Sequence, residues 1–82
     1  MNYEKRDLVR LIQNTVYEIT EIQLDSEKVN LLDVDICPVD FLYIFDSLER
    51  KLHVPAVNIL IGQTYQVLEI DAMSEALLEL LR

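Results

Sequence analysis

Pro38-Val39-Asp40-Phe41-Leu42-Tyr43-Ile44-Phe45-Asp46-Ser47-Leu48-Glu49-Arg50-Lys51-Leu52 is the stretch from which the fold is read. Pro38 suits the first position of a helix, because the N–H that proline lacks would be unpaired there. Asp40 places a carboxylate in the first turn, where the helix dipole favours it. Leu42, Phe45, Leu48 and Leu52 are expected to line one buried face, with Phe41 and Ile44 widening it. Val54-Pro55 stops the run, since a proline pushes the residue before it out of helical conformation. The spacing predicts a helix over 38–53.

Toward the N-terminus the period disappears. Residues 22–37 read as a long loop with room for one helical turn, pinned to the core by Leu31 and Leu32. Before it, Leu8, Leu11, Ile12, Val16 and Ile19 recur at three- and four-residue steps, which predicts an amphipathic helix over 3–21. Toward the C-terminus, the apolar run from Ala56 to Ile61 closes at Gly62 and is too isolated for a sheet, so a short helix over 56–63 is expected. Asp71 is a good N-cap. Met73, Ala76, Leu77, Leu80 and Leu81 then give a last helix over 71–81 its buried stripe. The expected core is Leu8, Ile12, Val16, Leu31, Leu42, Phe45, Leu48, Leu52, Met73 and Leu77. The fold class is all-α.

With 82 residues, one domain spanning 1–82 is expected. One Gly and two Pro leave little for a turn-rich β fold, and 51% apolar residues supply a core. Fifteen acids against seven bases give a formal charge of −8. That field repels nucleic-acid phosphates and anionic lipid and attracts a basic protein surface. Cys37 is the single cysteine, so no internal disulfide forms. No apolar stretch approaches the roughly 18 residues of a membrane span. The stretch after Met1 lacks the apolar region of a signal peptide. A cytoplasmic protein is the expectation.

The segment Leu31-Leu32-Asp33-Val34-Asp35-Ile36-Cys37-Pro38-Val39-Asp40 resembles the acyl and peptidyl carrier proteins, whose motif reads roughly Leu-x-x-Leu-Gly-x-Asp-Ser-Leu-Asp. Leu31, Asp33, Val34, Val39 and Asp40 fit it without a gap. Leu48-Glu49-x-x-Leu52-x-Val54-Pro55 resembles the end of the family's second helix, and Ile70-Asp71-Ala72-Met73-x-Glu75-Ala76-Leu77 its last helix. The resemblance implies a bundle of three main helices plus a short third one, with a long loop between helices one and two. It departs from the family where the cofactor is held. The family's Asp-Ser pair falls on Cys37-Pro38 and its Gly on Asp35, and Pro38 has no hydroxyl to carry a phosphopantetheine arm. Between Leu52 and Ile70 the chain is several residues longer than a typical carrier. The chain also resembles the acyl-carrier-related proteins found with bacterial peptide-maturation enzymes.

Cys37 could be a substitute attachment point, but Asp33, Asp35 and Asp40 oppose an anionic thiolate, and a packed or capping thiol is expected. Asp46-Ser47-Leu48 copies the carrier tripeptide, yet Ser47 lies mid-helix, where a transferase finds no exposed helix start. His53, at a helix end, has no second metal ligand beside it. No Ser/His/Asp set, glycine-rich phosphate loop or zinc spacing occurs, so no catalytic residue, cofactor or metal is expected and the chain is read as a non-enzyme. Val39, Tyr43, Asp46 and Arg50 share one stripe at helical spacing, with Glu49 beside it. By the resemblance this is a docking face for a protein partner such as a peptide-modifying or acyl-transfer enzyme. Three functions compete: an adaptor docking through this face, a true carrier using Cys37 or Ser47, and a structural subunit completing another protein's core.

Overall fold

The first helix, α1 (Lys5–Thr20), starts where the Asp7 carboxylate accepts the Glu4 N–H at 2.9 Å. It buries Leu8, Val9, Ile12 and Val16 along one stripe. It stops at Glu21, which takes a left-handed conformation (φ 62°) while its N–H donates to the Tyr17 carbonyl at 2.8 Å. The expected span of 3–21 is thus trimmed, because both end groups are caps. The computed structural model describes residues 3–82, which are all-helical, with no strand among them.

The second helix, α2 (Pro38–Leu52), opens with Pro38 in its first turn, as its missing N–H suggested. His53, expected inside the helix, is its left-handed cap (φ 56°), with its N–H on the Glu49 carbonyl at 2.8 Å. The buried face consists of Ile44, Phe45, Leu48 and Leu52. Leu42, expected in the core, is instead 71% exposed. The stripe that packs runs Phe41, Ile44, Phe45, Leu48, Leu52, spaced 3, 1, 3 and 4, and Leu42 lies off it.

The third helix, α3 (Ile70–Leu80), begins one residue earlier than expected, with Glu69 as its flanking residue. Asp71 is no N-cap: it sits within the first turn. No side chain caps the helix. The orphan N–H groups of Ile70 and Asp71 donate to the carbonyls of Val29 (2.9 Å) and Glu27 (2.8 Å) in the preceding loop. This stitches the 21–37 loop onto α3, and an isolated bridge between Asn30 and Glu69 extends it.

That loop holds one 3₁₀ turn, Leu31–Asp33, where the Asn30 side chain accepts the Leu32 N–H at 2.8 Å. Leu31 is fully buried as expected; Leu32, its expected second pin, is half exposed. The expected helix over 56–63 is a 3₁₀ turn, Ala56–Leu60, that buries Ala56 and Ile59. A further 3₁₀ turn, Tyr65–Leu68, buries Val67. Three α-helices and three short 3₁₀ turns therefore replace the four helices anticipated. Two of these turns have the three or four residues usual for such runs, and Ala56–Leu60 is one residue longer.

α1 packs against both α3 and α2, and the Ala56–Leu60 turn bridges α2 and α3. Leu8, Ile12, Val16, Leu31, Ile44, Leu48, Ile70, Met73 and Leu77 are fully enclosed. Two hydroxyls are buried with them, and each is satisfied: Thr15 Oγ1 donates to the Leu11 carbonyl (2.7 Å) and Ser74 Oγ to that of Ile70 (2.8 Å).

Candidate functional site

Once α2 commits Ile44, Phe45, Leu48 and Leu52 to the core, geometry leaves the other side of the helix in solvent. Val39 (52%) and Tyr43 (58%) stand exposed there, one turn apart, with Asp46 and Arg50 on the next turns. The Asp46 carboxylate and the Arg50 guanidinium pair with each other at 2.5 Å. Because both are exposed, that pair adds little to stability. Glu49 turns aside and is partly buried, with its carboxylate accepting the Val57 N–H at 3.4 Å. So four of the five expected docking residues share an open face, and Glu49 ties α2 to the following turn.

Leu42 extends this face in a direction the periodicity missed. It lies between the Val39 stripe and a shallow groove of about 280 Å³. The groove runs between α2 and the Ala56–Leu60 turn, with Phe41, Leu42 and Phe45 on one wall and Val57 and Leu60 on the other. Asp46 and Glu49 stand at its rim. Ile61, just past the turn, is 73% exposed. Apolar surface is common on proteins, but a run of it along one helix and the adjoining turn marks an interaction site more often than isolated residues do. The one sequence signal for it was the second helical stripe through Phe41 and Ile44, which, taken as the core face, would have put Leu42 outside.

At the N-terminal end of this face, Cys37 precedes the helix. It is exposed and neither packs nor caps through its side chain; its carbonyl accepts the N–H groups of Asp40 (2.9 Å) and Phe41 (3.4 Å). Pro38 beside it is exposed and offers no hydroxyl. Ser47 is half-buried in the middle of α2. His53 is exposed at the cap. Among the described residues no group of three or more His, Cys, Asp or Glu side chains is arranged to hold a metal ion.

A cluster of charges ties the far end of the molecule together. Lys5 of α1 pairs with Asp71 and, at 3.1 Å, with Glu75 of α3, while Lys28 of the loop lies 3.9 Å from Asp71. The hydrogen bond from Lys5, then its positive charge, hold the Asp71 carboxyl below its ordinary value. Hydrogen bonds to Asp71 and Glu75 raise Lys5 above its own. Its partners are all within the fold, so it reads as structural.

Comparison with protein-family models, with curated proteins and with solved structures gives no match. No helix among the described residues is long and apolar enough to cross a membrane.

Proposed function

We propose that the chain is a non-catalytic adaptor with an acyl-carrier-like bundle, which docks a protein partner through the exposed face of α2 and carries no phosphopantetheine arm. The observation that carries this reading is the apolar surface left open on α2, where Val39, Leu42 and Tyr43 are each more than half exposed. A helix that only covered a core would present a polar outer face. Tyr43 is the expected anchor, since aromatic side chains dominate interface energetics. Pro38 supports the absence of the arm, because it stands where the carrier motif has its serine. A peptide-modifying or acyl-transfer enzyme of the cytoplasm is the class of partner the resemblance points to.

A second reading, a carrier with an unusual attachment residue, is favoured by one observation: Cys37 is exposed at the start of α2. Ser47, half-buried in mid-helix, is the poorer site. Intact-mass measurement after co-expression with a phosphopantetheinyl transferase separates the two. The mass is expected to stay unchanged; a gain of one phosphopantetheine group would return the carrier reading. Docking is tested by Tyr43→Ala against the partner captured by a photo-crosslinker at position 43. Binding should weaken by about 1–3 kcal/mol with thermal stability nearly unchanged. Equal binding would place the interface elsewhere.

A further inference from the structure

Beyond the last turn of α1, residues 21–26 run on without a turn or bend. Ile22 is half-buried and Leu24 buried, whereas Glu21, Gln23 and Asp25 are exposed. Such alternation of inward and outward side chains is the pattern of a strand with one face on a core. Among the described residues no strand lies beside it. The Ile22 N–H donates to Thr20 Oγ1 at 3.1 Å. The N–H groups of Gln23, Leu24 and Asp25, and the carbonyls from Glu21 to Asp25, have no hydrogen-bond partner among the described residues. Main-chain groups need partners, and a row of them pinned by a buried Leu24 is a template for another chain.

Beside this segment lies a cavity of about 390 Å³, lined by Gln13, Asn14 and Tyr17 of α1 and by Gln23 and Leu24. Tyr17 is one turn from both Gln13 and Asn14, so the three share a side of the helix. None of the four polar side chains makes a hydrogen bond to another described residue. A carboxamide offers both donor and acceptor, as a peptide main chain does. No lining residue is charged, in a chain of formal charge −8. A second copy of the chain is a poor occupant. Pairing two such segments would set Glu21 and Asp25, which have no cationic side chain beside them among the described residues, against their counterparts.

We propose that residues 22–25, with the carboxamides of Gln13 and Asn14, form a site where an extended peptide segment of another protein adds itself as a strand. Its main chain pairs with the open main chain of this segment, and uncharged polar side chains on its inner side meet Gln13, Asn14 and Tyr17. Strand addition takes its affinity from the main chain and its selectivity from alternate side chains. The cavity shares no lining residue with the exposed face of α2, so this site and that docking face stand or fall separately.

The test uses the full ¹⁵N-labelled chain and a capped synthetic peptide of alternating threonine and lysine, in which β-branched threonine favours extension. The peptide should shift the side-chain amide signals of Gln13, Asn14 and Gln23 and slow hydrogen exchange at Gln23, Leu24 or Asp25. Only one edge of a strand pairs with a given neighbour. Methylating either the threonine or the lysine main-chain nitrogens should therefore weaken binding about tenfold or more in one case and leave it unchanged in the other. Gln13→Ala with Asn14→Ala, on the surface of α1, should weaken binding while the melting temperature stays near that of the wild type. Equal binding of both methylated peptides, or equal loss from both, overturns the strand pairing. Absence of carboxamide shifts, or shifts confined to α2, overturns the site. So do carboxamide shifts with maltose and none with the peptide, which would mark a sugar pocket. Concentration-dependent shifts of the same signals without peptide would make a second copy the occupant and overturn it as well.

Discussion

Leu42 and Ile44 stand two residues apart on α2 with opposite surroundings: Leu42 is 71% exposed and Ile44 fully buried. Ile44→Ala should therefore cost about 2–5 kcal/mol, through lost transfer energy and the cavity left behind. Leu42→Ala should cost less than about 0.5 kcal/mol. Urea denaturation of the two variants decides it, and the reverse order would mean that α2 is rotated about its axis. From the sequence, Leu42-Phe45-Leu48-Leu52 and Phe41-Ile44-Phe45-Leu48-Leu52 were both admissible faces, because they share three members. Hydrophobicity alone cannot rank them, since Leu42 is as apolar as Ile44. What the residues did reveal was that α2 has more apolar side chains than one face can bury. Val39 and Tyr43 were legible as outward on that ground, whereas Leu42 was not.

At the level of elements, the long loop is ordered by its ends and by Asn30. The Asn30 side chain accepts the Leu32 N–H at 2.8 Å and donates to the Tyr65 carbonyl at 3.0 Å, so one residue joins two 3₁₀ turns. Asn30→Ala should cost about 1–2 kcal/mol, and Asn30→Asp, which keeps the acceptor and loses the donor, should fall between the two. Thermal unfolding measures both, and a neutral Asn30→Ala would show that buried Leu31 and the Glu27 and Val29 carbonyls hold the loop without it. The start of α3 follows the same logic. Asp71 looked like its cap because the sequence carries the local preference for a short acid there. The helix is capped instead by carbonyls of Glu27 and Val29, more than forty residues earlier, and no local preference could announce that. The Ala56–Ile61 run was legible as a short helical piece; that it is a 3₁₀ turn packed against both α2 and α3 was not.

Across the whole molecule, Lys5 and Asp71 join α1 to α3, with Glu75 and Lys28 beside them. Asp71 titrates below its ordinary value in the folded chain, so its contribution is complete above about pH 5 and is lost as pH falls through the folded value. Lys5 is raised, so its contribution is complete below its ordinary 10.5 and is lost as pH rises through its higher folded value. Asp71→Asn should therefore lower the melting temperature most between these limits, and the gap from the wild type should close only as pH falls below the carboxyl's ordinary 3.8. A gap that stays constant through acid pH would show that the pair is not what the variant removes. The sequence by itself determined the helical class, the start of α2 at Pro38, the loop before it and most of the core, because capping chemistry, proline and the helical period act within a few residues. Tertiary structure decided which of two overlapping faces α2 buries, what caps α3 and how the 56–68 segment turns. Each of those depends on groups far apart in the chain, and only their packing around α1 brings them together.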